Sequence, residues 1–203
     1  MPNTQMRVQA YILLGQLLQR PTAELLELAK SDDFISFWQA IESSHGIKLP
    51  KSLTPQELPT LQDWDKMWNA TMGPINPLAE PIESLYKIWT TDPSCEMTIA
   101  SQKGYLKGDW GWHMEALLAD ASFEVPPQFA HCPDHLVIEL EYASVIIEVG
   151  ASAEAQATFA KHHFDWLDDL VETAKNKNAP DLYQDLYHLC AQFVKVDMES
   201  FAG

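Results

Sequence analysis

His131-Cys132-Pro133-Asp134-His135-Leu136-Val137-Ile138-Glu139-Leu140-Glu141-Tyr142 is the stretch that decides the fold. Proline has no amide hydrogen, so Pro133 suits the first turn of a helix, where that donor would go unused. Asp134 beside it favours the positive end of the helix. At helical spacing Leu136, Leu140, Ala143 and Ile147 then share one face, and Glu141, Ser144 and Glu148 face water. His135 and Glu139 fall on neither side. They lie four residues apart along one flank that Tyr142 and Ile146 continue. A mixed polar and aromatic flank of this kind suits a binding surface. The plainer alternative is a helix cap with an ordinary surface ion pair.

The same period recurs outward from this stretch. Three long helices are expected in the C-terminal part, the last following Pro180 with Leu182, Leu186, Leu189, Phe193 and Val194 in a stripe. On the other side, Val125-Pro126-Pro127 through Pro133 breaks the pattern and reads as a hinge. Trp110 to Ser122 is helical, with Trp110, Met114, Leu117 and Leu118 in register, and residues 91–110 are irregular. Pro74, Pro77 and Pro81 hold the backbone extended before a short helix from Ile82 carrying Leu85, Tyr86 and Trp89. Thr54-Pro55-Gln56-Glu57 has the form of a capping box for a helix bearing Leu61, Trp64, Trp68 and Met72. Residues 43–53 read as a loop. Three earlier helices are expected: about Thr4 to Gln19, one capped by Thr22, and Phe34 to Ile41. The expected fold is therefore all-α with no sheet, a single helical domain or two lobes: residues 1–124, a hinge at 125–133, and residues 134–203.

Composition narrows the function. The 203 residues carry a net charge of −16, which repels nucleic acid and anionic membranes and favours a cationic partner. Hydrophobic content of 46% indicates a globular chain. Cys95, Cys132 and Cys190 form no CxxC pair or disulfide pattern, which suits a reducing compartment. The N-terminal run is broken by Gly15 and Gln16 and lacks a small-residue cleavage site, so it does not read as a signal peptide. No segment reaches the apolar length of a membrane span.

Motifs of catalysis are missing from the sequence: it has no GxSxG, no Walker-type loop and no GxGxxG. Gly104-Tyr105-Leu106-Lys107-Gly108 lacks phosphate-loop spacing. His131, Cys132, His135 and Glu139 are metal-ligand types, but no HExxH, CxxC or paired-His spacing supports a site. His162 and His163 are adjacent and so point to different helix faces. A packed or solvated role is expected for them. The expectation is a protein with no catalytic residues, no metal and no cofactor.

Several segments, taken in order, carry a resemblance. Met72-Gly73-Pro74 leads to Pro81-Ile82-Glu83-Ser84-Leu85-Tyr86, and Pro133-Asp134-His135-Leu136 with Glu139-Leu140-Glu141-Tyr142 follows some fifty residues later. Phe159-Ala160-Lys161-His162-His163-Phe164-Asp165-Trp166-Leu167 and the opening Tyr11-Ile12-Leu13-Leu14-Gly15-Gln16-Leu17-Leu18 complete the set. This ordered set resembles the TorD/DmsD family of redox-enzyme maturation chaperones. The chain departs from the family where Ala70-Thr71 stands in place of the Leu-Phe often found before the Gly-Pro.

The resemblance implies a cytoplasmic, non-catalytic helical chaperone. Its partners would be the twin-arginine signal peptide and the apo form of a molybdopterin-containing, DMSO-reductase-type enzyme, held until cofactor loading. Nucleic acid and stable membrane insertion are not expected, and the chain would be a monomer or a domain-swapped dimer across the hinge. A receptor for a cationic, apolar peptide needs an apolar groove with acidic edges. The candidate residues are Trp68, Pro81, Ile82, Glu83, Ser84, Leu85, Tyr86, Pro133, Asp134, His135 and Glu139, with Asp134 expected to meet a signal arginine. The alternatives are an acidic helical adaptor for another basic partner, or a metal-dependent hydrolase using His131, His135 and Glu139.

Overall fold

Tyr11, Leu14 and Leu18 recur along one side of the first helix, and Leu136, Leu140 and Ile147 along one side of a helix much later in the chain. In a computed structural model, which describes residues 4–199, these two stripes pack against each other at the centre of the molecule. The elements in order are α1 (Thr4–Leu18), α2 (Ala23–Lys30), α3 (Asp32–His45), α4 (Leu61–Met72), α5 (Glu83–Tyr86), α6 (Gly108–Asp120), α7 (Leu136–Glu148), α8 (Ala153–His163), α9 (Leu167–Asn176) and α10 (Asp181–Glu199). The fold is all-α, as expected. Among the described residues there is no strand, only one isolated antiparallel bridge between Ile82 and His135.

The chain forms one all-α domain. Helices from both sides of residues 125–133 fill a single core, which takes in Trp38, Trp64, Leu140, Trp166 and Tyr187. Polar staples cross the same boundary: Arg7 of α1 pairs with Asp197 of α10, and Trp64 Nε1 donates to Tyr183 Oη at 3.1 Å. Residues 125–133 run as an irregular connector with one 3-10 turn at Pro127–Phe129. Leu140 is fully buried between α1 and the rest of the core. Replacing it with alanine should cost about 2–5 kcal/mol, the sum of lost burial and an unfilled cavity. Chemical denaturation reads this as a lower midpoint with an unchanged slope.

Local sequence accounts for several helix starts. Thr22 accepts from the Leu25 amide, as its cap position predicts, and Ser31 does the same for α3 through Phe34. Three expectations are corrected. The Thr54 capping box does not start α4: the cap is Thr60, which accepts from the Asp63 amide at 3.2 Å. Pro59 explains the shift, because inside a helix begun at Thr54 it would remove an amide donor and clash with the carbonyl four residues back. The C-terminal part holds four helices rather than three. The chain turns at Phe164–Trp166 between α8 and α9, where Trp166 Nε1 donates to the His163 carbonyl at 2.7 Å. That break contains neither proline nor glycine, so nothing in the local sequence announces it. The expected 43–53 loop is also shorter than read, since α3 runs to His45 and a 3-10 turn occupies Lys51–Leu53.

Candidate functional site

Two segments separated by about fifty residues in sequence meet side by side. Ile82 pairs with His135, the Leu136 amide donates to the Pro81 carbonyl at 2.9 Å, and the Glu83 amide donates to the Asp134 carbonyl at 2.9 Å. The prolines hold the first segment extended, which lets its backbone lie along the residues that open α7. The Asp134 carboxylate then accepts from the Ser84 amide at 2.8 Å. It therefore caps α5 from outside and satisfies a donor that a helix start leaves open. Ser84 in turn accepts from the Lys107 amide at 3.1 Å, which ties the irregular stretch before α6 to the same point. Gly108 opens α6 at φ +58, and a Cβ there would lie 2.2 Å from the Trp89 carbonyl, so only glycine fits.

Beneath this junction lies a buried ionic network. His163, at the end of α8, places Nδ1 2.7 Å from Glu83 Oε2 and Nε2 2.8 Å from His113 Nδ1. Lys87 reaches Glu83 Oε1 at 2.8 Å, also pairs with Asp165, donates to the His162 carbonyl at 2.6 Å, and lies 3.7 Å from the centre of the Trp110 ring. Glu139 projects from α7 toward the same point, with Oε1 4.0 Å from His163 Nδ1. Burial, reinforced by the charge of Glu83, raises the Glu139 carboxyl well above the ordinary range. Burial pushes Glu83 the same way, but the hydrogen bond and charge of His163, with Lys87, outweigh it and leave Glu83 below the usual value. Burial also raises Asp134, against the opposing bond from Ser84.

The candidate residues therefore separate into groups. Pro81, Ile82, Glu83, Ser84, Pro133, Asp134, His135 and Glu139 come together, but they are buried and join α5 to α7. Asp134 and Glu139 have no exposed surface, so the flank that reads as a charged edge in the sequence points inward. His135 caps α7, accepting from the Val137 amide at 3.1 Å and packing on Phe129, and so does not assemble with His131 and Cys132 as a ligand set. Trp68 lies against the end of α1, donating to the Leu18 carbonyl, with Arg20 over its ring. Leu85 and Tyr86 are the candidates that face a groove.

That groove, of about 540 Å³, runs between the Pro77–Tyr86 segment and α9. Leu78, Leu85 and Tyr86 give it apolar surface, and Glu80, Asp169 and Glu172 stand along it together with Lys103 and Lys177. Tyr86 is fixed by stacking on Trp166, with ring centres 5.2 Å apart. Burial raises the Glu80 carboxyl. Lys103 occupies Asp169 at 2.8 Å, an exposed pair that solvent weakens.

Sequence reasoning missed the α9 side of this groove and the network residues Lys87, His113 and His163. His163 stands in the sequence as one of two adjacent histidines within the family-like Phe159–Leu167 run, but its pairing with Glu83 spans 80 positions. The remaining functional signal is relatedness. No curated protein matches the chain. A family model described as "Nitrate reductase delta subunit" matches residues 49–184, from before α4 into the start of α10. The span contains the α5–α7 junction, the buried network and the groove, and the chain thus belongs to the nitrate reductase delta subunit family, a family of molybdoenzyme maturation chaperones that takes in the TorD/DmsD type.

Proposed function

We propose that this chain is a cytoplasmic chaperone that binds the twin-arginine signal peptide of a DMSO-reductase-type molybdoenzyme and holds the apoenzyme during cofactor loading. The observation that carries the reading is the chemistry of the groove, which sets apolar Leu78, Leu85 and Tyr86 beside carboxylates at Glu80, Asp169 and Glu172. A signal peptide pairs a cationic start with an apolar middle, and such a groove offers a complement to each. Of the eleven residues that the sequence nominates, Leu85 and Tyr86 would touch the peptide. Those at the α5–α7 junction would act by fixing that wall, and a rigid wall loses less entropy on binding. A signal arginine would compete with Lys103 for Asp169. No reaction is assigned. A monomer suffices, and a dimer that exchanged the part after residues 125–133 would rebuild the groove from two protomers.

Calorimetric titration with the signal peptides of every molybdoenzyme of the source organism tests the reading. One peptide should bind in the micromolar range or tighter, roughly −8 kcal/mol. Affinity should fall with added salt, because exposed charges supply part of the attraction. Tyr86→Ala and the pair Glu80→Gln with Glu172→Gln should each weaken binding about tenfold or more, the loss of roughly 1.4 kcal/mol. Folded protein that binds none of the peptides refutes the proposal. An acidic adaptor for some other basic partner would show that pattern and retain the other partner.

A further inference from the structure

Glu83, Glu139 and His163 bring one metal-ligand atom each to within 4.8 Å of one another. All three side chains are fully buried. No N–H or O–H reaches either oxygen of Glu139. A buried carboxyl in that state keeps its proton unless a positive charge meets it. Lys87 stands beside the cluster, but its ammonium pairs with Glu83 and Asp165 and not with Glu139.

We infer that Glu83, Glu139 and His163 form a binding site for a divalent transition metal of the zinc class, held through His163 Nδ1 and one oxygen of each glutamate. The donor set is mixed nitrogen and oxygen, which suits borderline metals better than calcium or magnesium. On a tetrahedral ion with bonds of about 2.0–2.2 Å, ligand atoms lie about 3.3–3.6 Å apart. The observed separations from His163 Nδ1, 2.7 Å to Glu83 and 4.0 Å to Glu139, bracket that spacing. Small side-chain shifts close the set.

The other nitrogen of His163 supports the assignment. His163 Nε2 stands 2.8 Å from His113 Nδ1. A proton on Nε2 donated to His113 leaves Nδ1 with its lone pair toward the two glutamates. A ligating histidine is ordinarily oriented in this way by a partner behind it. His113 is itself exposed, so the partner behind His163 reaches solvent. Binding would displace the proton now between His163 and Glu83. None of this depends on the peptide groove.

The test uses the full chain, stripped by a chelator and titrated with Zn²⁺ by calorimetry and with Co²⁺ by visible absorption. One metal per chain is expected, with a higher Tm and the strong absorption of four-coordinate Co²⁺. Glu139→Gln and His163→Gln should each abolish the one-equivalent binding, and His113→Gln should weaken it about 10–100-fold. Wild-type protein that binds no stoichiometric metal overturns the inference. Undiminished binding in folded Glu139→Gln and His163→Gln does the same, since it puts the metal on surface groups. If either ligand variant fails to fold, the wild-type Co²⁺ spectrum decides, and the weak absorption of six-coordinate aqua-type cobalt overturns the inference.

Discussion

Asp197→Ala should destabilise the chain by about 3–5 kcal/mol, the range for removing one member of a buried ion pair, although Arg7 keeps its bond to Gln156. Asp197 is 1% exposed and Arg7 is 7% exposed, so little water is available to replace the lost partner. Arg7 Nε lies 2.6 Å from Asp197 Oδ1 and Arg7 Nη2 lies 3.0 Å from Oδ2, a two-point contact that also fixes geometry. The Tyr11 hydroxyl donates to Oδ2 at 2.9 Å and would lose its acceptor as well. The pair joins the first helix to the last, so its loss should weaken the whole fold and not one element. Urea denaturation should show a lower midpoint with a slope near that of wild type. A change within 0.5 kcal/mol would mean that the pair contributes only geometry.

The second large effect is a loss of stability in acid. Burial of His135 pulls its imidazole from 6.5 down to about 3. The folded state therefore holds this ring neutral while the unfolded chain takes up a proton below 6.5. A depressed value of this kind gives stability that is complete above the unfolded pKa and is lost as pH falls from about 6.5 toward 3. At 1.36 kcal/mol per pH unit the loss reaches roughly 4 kcal/mol near pH 3. The raised carboxyls of Asp134 and Glu139 act in the opposite sense, since they favour the protonated folded state. A variant isolates the imidazole from them. His135→Asn keeps an oxygen able to accept from the Val137 amide but removes the titration. The difference in stability between wild type and His135→Asn should change by about one proton per molecule across pH 6.5 to 4. Parallel pH profiles would contradict this account of His135.

The fold was legible where helical period and capping chemistry were local. Thr22 and the stripe of α10 act in the structure as their spacing implies. The Thr54 box misled because a cap signal was weighed without the proline five residues on. The α8–α9 break was hidden because no proline or glycine marks it; a tryptophan indole bond to the His163 carbonyl closes the turn.

The site was legible in its residues and not in its orientation. The sequence picked out Glu83, Ser84, Asp134, His135 and Glu139, and the structure brings them together. It could not show that they face inward. Periodicity placed Glu139 off the main apolar face of α7, but α5 and α8 cover that flank too, with Glu83 and His163 beside it. Asp134 looked like a charge for a signal arginine and is a cap for a neighbouring helix instead. The carboxylates available to a peptide stand at Glu80, Asp169 and Glu172, two of them on α9, which no sequence motif connects to Tyr86.

The molybdenum content of the client enzyme tests the central claim most directly. The client is the molybdoenzyme whose signal peptide the chain binds, purified from cells that lack the chain and from cells that carry it. The account predicts a several-fold drop in molybdenum per enzyme without the chain. Wild type should restore it, and Tyr86→Ala combined with Glu80→Gln and Glu172→Gln should not. An enzyme fully loaded with molybdenum in cells lacking the chain would contradict the claim that this protein holds the apoenzyme for cofactor insertion.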